Sequence, residues 1–162
     1  MDLKINVKNL PREGSNLEIH LKEEDISIKE IVGDMYISFN VSKNGNSYDV
    51  KGFMEYELSL TCSRCLEEIS RHNTEEFNLE FKEKKGYSVS GKLAKKMDEA
   101  DTEFVVKDGL LDLGAFIHDE AILSIPLKPL CSERCKGLCT ICGVNLNETT
   151  CEHSKLKEKS LT

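Results

Sequence analysis

Five of the seven cysteines in this 162-residue chain lie between Leu130 and His153, in a short segment that glycines interrupt. Cys139 and Cys142 are separated by two residues and followed by Gly143. This spacing lets two thiolates reach one tetrahedral ion, and glycine permits the positive φ of the turn. The segment is therefore predicted to hold a structural Zn²⁺ ion, with iron as the main competing metal because thiolate-rich sites can hold either.

The other ligands of this ion must come from the remaining candidates of the segment, which are Cys131, Cys135, Cys151 and His153. These are more candidates than one tetrahedral ion needs. The favoured set combines Cys139 and Cys142 with Cys135 and Cys151. Because the segment has little apolar content, we expect the ion to supply most of the free energy that folds it.

A second pair, Cys62 and Cys65, has the same two-residue spacing and falls between two predicted strands. It could be half of a zinc site, a redox dithiol, or a turn that happens to carry thiols. A redox dithiol needs a helix N-terminus to lower the pKa of its first cysteine, and strands on both sides disfavour that reading. As a metal pair, it would join Cys139 and Cys142 in a second-choice quartet.

The N-terminal residues argue against a disulfide framework. They read Met-Asp-Leu-Lys-Ile-Asn-Val-Lys, in which charged and apolar residues alternate, unlike a signal peptide. No apolar run approaches the length that spans a membrane. We therefore expect a cytoplasmic protein without membrane association, in which thiols stay reduced and clustered cysteines bind metal.

The net charge of −7 and the pI near 5.2 are not those of a protein with a basic surface for nucleic acid. Two local runs of lysine are exceptions to this acidic balance. They consist of Lys82, Lys84, Lys85, Lys92, Lys95 and Lys96 in the middle, and of Lys155, Lys157 and Lys159 near the end. The last three are the candidate contacts to nucleic acid or to a partner.

Alternating apolar and polar residues predict β-strands at 2–9, near 17–21, at 35–41 and at 48–60, and a returning strand that ends near 81. Asn44-Gly45 favours a tight hairpin turn. Residues 84–101 are predicted to be a mobile loop and residues 103–106 a short strand. A helix is expected over 112–124, where Asp112 is placed to cap it and Pro126 follows its end.

The predicted fold is α+β: a mainly antiparallel β-sheet or partly open barrel packed by one helix, with a C-terminal zinc-knuckle segment. Residues 1–129 would form the β-rich core, residues 130–154 the zinc-binding segment and residues 155–162 a basic tail. Glu120 falls on the apolar stripe of the helix and is expected to pair with a strand residue such as Arg64.

Three motifs in this order carry a resemblance to a known family. They are Leu-Thr-Cys-Ser-Arg-Cys-Leu at 60–66, Asp-Glu-Ala-Ile-Leu-Ser-Ile-Pro-Leu at 119–127, and Leu-Cys-x3-Cys-Lys-Gly-Leu-Cys-x2-Cys-Gly-x-Asn-Leu-Asn at 130–147. After a β-rich N-terminal half, they resemble the YceD family, the large ribosomal RNA subunit accumulation proteins of bacteria and plastids.

The resemblance implies a cytoplasmic, non-enzymatic factor in the synthesis, processing or stability of 23S ribosomal RNA. Some family members keep the hairpin cysteines and lack the C-terminal cluster, which favours residues 131–153 as a self-contained site. Members with the cluster often end it in Cys-x-Cys, whereas this chain has Cys151-Glu-His153. Histidine is an equally competent zinc ligand, so the departure is compatible with zinc.

Three functions remain open from the sequence. The leading one is a factor in biogenesis of the large ribosomal subunit, whose partner is the subunit RNA or, given the acidic chain, a basic ribosomal protein. The alternative is a zinc-stabilised module for protein interactions without an RNA role, and a thiol redox protein comes third. No carboxylate or histidine cluster has the spacing of a catalytic metal site, so no hydrolase or nuclease is expected. The resemblance implies that the protein is not an enzyme, and no small-molecule substrate is expected.

Overall fold

The computed structural model describes residues 3–8, 10–11, 14–83 and 104–153. Within them, the strands are β1 (Lys4–Asn6), β2 (Ser15–Leu21), β3 (Ile31–Asn44), β4 (Ser47–Thr61), β5 (Glu68–Glu83), β6 (Val105–Val106) and β7 (Leu110–Asp112). A 3₁₀ turn covers Glu23–Asp25, and the helix α1 covers Gly114–Leu123. The predicted loop at 84–101 lies outside the described residues.

The strands form two open sheets. The larger has the order β2-β3-β4-β5-β6 and is antiparallel except for the parallel pair β5-β6, and the smaller pairs β1 with β7 antiparallel. The prediction of a mainly antiparallel β structure with one helix is confirmed. Because the strand order is linear in both sheets, neither closes into a barrel.

The core lies on one face of the larger sheet. The period-two alternation places Met35, Ile37 and Phe39 of β3 beside Met54 and Tyr56 of β4 on this face, and all five side chains are buried. The small sheet and α1 cover them through Ile5, Leu111, Leu113, Ile117 and Ala121. The long strands β4 and β5 pair without a break from Ser47 with Lys82 to Thr61 with Glu68, so the hairpin tip projects beyond this core.

The β3-β4 turn follows the Asn44-Gly45 signal, since Asn44 pairs with Ser47 and Gly45 has a φ of 60°. The helix begins two residues later than predicted. Leu113 is its N-cap residue, and the Asp112 carboxylate instead accepts a hydrogen bond from the Gly114 N–H, at 3.0 Å. The side chain of Asp112 thus orders the turn that leads into the helix.

The end of the helix is tied to the sheet by a polar contact. The Tyr56 hydroxyl lies 2.6 Å from Ser124 Oγ and accepts a hydrogen bond from Asn73 Nδ2 at 2.9 Å. The expected pairing of Glu120 with Arg64 is wrong, because the Arg64 guanidinium donates to the Cys135 carbonyl at 2.9 Å. In the part of the chain that the structure describes, no helix is long and apolar enough to cross a bilayer.

Candidate metal centres

The tip of the β4-β5 hairpin and the C-terminal segment are joined by backbone hydrogen bonds. The Ser63 N–H donates to the Pro129 carbonyl at 2.8 Å, and the Leu138 N–H donates to the Arg64 carbonyl at 3.0 Å. The tip itself is a tight turn, in which the Leu66 N–H donates to the Cys62 carbonyl at 3.0 Å. These bonds hold the turn that carries Cys62 and Cys65 against residues 129–138.

Four cysteines converge at this junction, and we call them the clasp group: Cys62, Cys65, Cys131 and Cys135. Their sulfur atoms all lie within 4.8 Å of one another. Cys62 Sγ is 3.8 Å from Cys135 Sγ, and Cys65 Sγ is 3.6 Å from Cys131 Sγ. All but Cys131 are buried. The group therefore combines two cysteines from the tip of the β4-β5 hairpin with two from the C-terminal segment.

A second set lies further along the chain, and we call it the terminal group: Cys139, Cys142, Cys151 and His153. Its ligand atoms also lie within 4.8 Å of one another. The turn that presents Cys139 and Cys142 is closed by the Gly143 N–H, which donates to the Cys139 carbonyl at 2.8 Å, and Gly143 has a φ of 73°. This is the conformation that the glycine was expected to permit.

Both groups could hold a metal ion. With Zn–S bonds of about 2.3 Å, the sulfur atoms of a tetrahedral site are about 3.8 Å apart. In the clasp group, the Cys62–Cys135 and Cys65–Cys131 sulfur distances of 3.8 and 3.6 Å are close to that value. In the terminal group, His153 Nδ1 is buried and makes no hydrogen bond in the structure. Such an atom costs stability unless a metal or another partner satisfies it.

Hydrogen bonds to sulfur favour the thiolate, which is the form that binds metal. The backbone N–H of Cys65 is the main cause that lowers the pKa of the Cys62 thiol to about 6, against the opposing effect of burial. The N–H of Cys142 and then that of Ile141 lower the pKa of Cys139 to about 6 in the same way. The first cysteine of each group thus has surroundings that already stabilise its charged form.

The structure brings the candidate ligands together in sets that differ from both expected quartets. Cys135 lies with the hairpin pair instead of with Cys139 and Cys142, and His153 completes the terminal group. Cys62 and Cys65 lie with Cys131 and Cys135 instead of with Cys139 and Cys142. The physical reason is the backbone pairing between the hairpin tip and residues 129–138, which places Cys131 and Cys135 beside the hairpin.

Three polar side chains around the groups were not among the candidate residues. Arg64 holds the carbonyl of Cys135, Asn147 Nδ2 donates to Cys135 Sγ at 3.3 Å, and Asn145 Nδ2 donates to Glu67 at 2.6 Å. The Asn-Leu-Asn sequence at 145–147 was the signal that could have identified two of them. The tail lysines Lys155, Lys157 and Lys159 and the lysines at 84–96 lie outside the described residues.

The comparisons with known proteins agree on one family. A family model described as large ribosomal RNA subunit accumulation protein YceD matches residues 50–161. The large ribosomal RNA subunit accumulation protein YCED homolog 1, chloroplastic, of Zea mays is 26% identical over 135 residues, which cover 70% of this chain and 46% of that protein. An uncharacterized protein of Mycobacterium leprae is 34% identical over 85 residues, or 52% of this chain and 36% of that protein.

The aligned region thus spans less than half the length of each of these two relatives. None of the solved structures matches the chain.

Proposed function

The chain belongs to the YceD family of large ribosomal RNA subunit accumulation proteins, and from this we propose that it is a non-enzymatic factor in the synthesis, processing or stability of 23S ribosomal RNA. The observation that carries the proposal is the extent of the family match. It spans the β4-β5 hairpin from Val50 onward, the helix and all the cysteines of both groups. The matched region is therefore the part of the molecule in which the candidate site is built.

The metal that we propose for the cysteine-rich region is Zn²⁺ in a structural role. Thiolate and imidazole ligands in sets of four are typical of closed, tetrahedral zinc sites, whereas catalytic zinc keeps one position for water or substrate. Each group brings four candidate ligand atoms within 4.8 Å of one another, which supports this proposal. The ion would hold the backbone of residues 131–153 in place, and this supports a binding role over catalysis.

The charge of the larger sheet bears on the partner. On the face opposite the core, carboxylates outnumber lysines among the described residues: Glu18, Asp49, Glu55, Glu57, Glu68, Glu76 and Glu80 against Lys51 and Lys82. Such a face repels RNA phosphates and attracts basic polypeptides. A direct RNA contact would instead use the tail lysines Lys155, Lys157 and Lys159.

The same face carries a row of aromatic rings. The ring centroids of His20 and Tyr36 are 4.9 Å apart, and those of Tyr36 and Phe53 are 6.0 Å apart. Aromatic faces near carboxylates suit arginine and lysine side chains through cation–π contacts. This observation favours the second candidate function, a zinc-stabilised module for protein interactions without an RNA role, and within the first function it favours a basic ribosomal protein as the direct partner.

Depletion of the protein in its own cell tests the proposed function. We expect the ratio of large to small ribosomal subunits to fall and precursors of the large-subunit RNA to accumulate, and the wild-type chain should restore both. If the subunit ratio and the precursor level both stay unchanged, the RNA role is contradicted. The second candidate function, a zinc-stabilised module for protein interactions, would then be favoured. We also propose that the protein acts in the cytoplasm, where fractionation should place it with immature large subunits.

Salt dependence distinguishes RNA contact from protein contact. If the tail lysines bind phosphates, replacing Lys155, Lys157 and Lys159 by Gln should weaken binding to large-subunit RNA and reduce the slope of log K against log salt by about two to three. A variant with Lys29→Gln, a lysine whose side chain is 88% exposed on another part of the chain, is the matched control. If the salt-dependence slope of the triple variant is unchanged, the RNA phosphates do not contact these three lysines.

A further inference from the structure

We propose that the chain binds two Zn²⁺ ions, one through the four thiolates of the clasp group and one through the three thiolates and the imidazole of the terminal group. The first ion would join the β4-β5 hairpin to the C-terminal segment. Residues 131–153 would therefore not form a self-contained zinc domain, because half of the first ligand set belongs to the tip of the β4-β5 hairpin. This proposal concerns the chain alone and does not depend on the RNA role.

The separation of the ligands in the sequence supports a bridging role for the first ion. Cys62 and Cys135 are 73 residues apart, and Cys65 and Cys131 are 66 residues apart, yet each pair of sulfur atoms is within 3.8 Å. Closing a loop of this length costs chain entropy. Zinc–thiolate bonds would offset this cost, since the binding free energy of a structural zinc ion adds directly to the free energy of folding.

The surroundings of the clasp group are those of a metal site. The Cys131 N–H points to Cys62 Sγ at 3.4 Å, and Asn147 Nδ2 points to Cys135 Sγ at 3.3 Å. Donors of this kind orient metal-bound thiolates and stabilise their charge. The Arg64 guanidinium adds a positive charge beside the group and holds its backbone through the Cys135 carbonyl. Four thiolates and Zn²⁺ sum to a charge of −2, which these donors and the guanidinium partly compensate.

The terminal group is complete within 15 residues, from Cys139 to His153. Its loop nevertheless contacts the hairpin tip, because Asn145 Nδ2 donates to Glu67 at 2.6 Å. The Leu146 N–H also donates to the Gly137 carbonyl at 2.9 Å, which joins the loop to residues 129–138. The second ion would therefore order the loop that supplies Asn147 to the clasp group. We expect each site to retain its own ion when a ligand of the other is removed.

Metal counting on the full-length chain tests the proposal. Native mass spectrometry with elemental analysis, on protein purified under reducing conditions from zinc-supplemented cells, should find two zinc ions per chain. Cys131→Ser and Cys142→Ser should each retain one ion, and the control Ser132→Ala should retain two. One zinc ion per chain in the wild type, or iron in place of zinc, would overturn the proposal.

X-ray absorption at the zinc edge identifies the ligand types, and its measurement on the wild type does not depend on a variant that might misfold. The wild type should show an average of about 3.5 sulfur and 0.5 nitrogen ligands per zinc, with Zn–S near 2.3 Å and Zn–N near 2.0–2.1 Å. In Cys142→Ser, the remaining ion should have sulfur ligands only, and in Cys131→Ser it should have three sulfurs and one nitrogen. Nitrogen bound to the remaining ion of Cys142→Ser would refute the division of the ligands.

Discussion

Replacing Gly137 by alanine should loosen the junction between the hairpin and the C-terminal segment. Gly137 has a φ of 74°, and a Cβ atom there would lie 2.9 Å from the Arg64 carbonyl oxygen and 3.2 Å from Arg64 Cβ. That carbonyl accepts the hydrogen bond from the Leu138 N–H that joins the two segments. The added methyl group therefore pushes against the atom that holds the junction together.

The expected magnitude has two parts. A non-glycine residue in the left-handed region costs about 1–2 kcal/mol, and weakening the hydrogen bond between Leu138 and Arg64 costs about 1 kcal/mol more. Because the junction positions Cys131 and Cys135 beside the hairpin cysteines, most of this total of about 2–3 kcal/mol should appear as weaker metal binding. At 1.4 kcal/mol for each factor of ten, zinc affinity of the clasp group should fall by about 30- to 150-fold.

Competition with a chromophoric zinc chelator measures this change, and Gly33→Ala is the matched control. Gly33 has the same φ of 74°, but a Cβ atom there would meet no other atom within 4 Å. The residue lies in β3, which contributes no cysteine to either group. The control should lower the free energy of unfolding without changing zinc affinity. Equal zinc affinities in Gly137→Ala, Gly33→Ala and the wild type would refute the claim that this junction positions the ligands.

Three further perturbations have defined outcomes. Gly52→Ala should lower the free energy of unfolding in urea by about 3 kcal/mol or more, because the new Cβ would lie 2.2 Å from the Ser38 carbonyl oxygen. A decrease of less than about 1 kcal/mol would contradict this close packing. Tyr56→Phe removes both hydrogen bonds of the hydroxyl. It should lower the free energy of unfolding by about 1–2 kcal/mol and the melting temperature by about 3–6 °C. An unchanged melting temperature would mean that these bonds do not contribute to stability. Removing metal with a chelator should abolish amide-exchange protection in residues 131–153 while β3 and β4 stay protected, and unchanged protection in that segment would show that it folds without metal.

The local pattern of the sequence accounts for much of the fold. In β3 and β4, strict alternation identified both strands and the buried face, because side chains on a strand point to opposite sides in turn. The helix was found from its apolar spacing and the following proline, but its start was placed two residues early. Asp112 is an equally good residue for a cap and for the turn before it, and only the backbone conformation distinguishes the two.

The partner of Arg64 shows where sequence patterns stop being informative. Its charge made Glu120 a reasonable partner, yet the side chain donates to the Cys135 carbonyl across 71 residues of sequence. A backbone carbonyl cannot be identified from the sequence as a hydrogen-bond partner, because every residue has one. A contact of this kind is visible only after the hairpin tip and the C-terminal segment have been placed together.

The sequence by itself determined which short segments carry candidate metal ligands. A two-residue spacing allows the sulfurs of Cys62 and Cys65, and those of Cys139 and Cys142, to reach one ion whatever the rest of the fold does. Only the tertiary structure decided which pairs share a set, because that depends on which turns lie side by side. The length of the β4-β5 hairpin and its backbone bonds to residues 129–138 place Cys131 and Cys135 beside the hairpin cysteines and leave His153 to complete the other group.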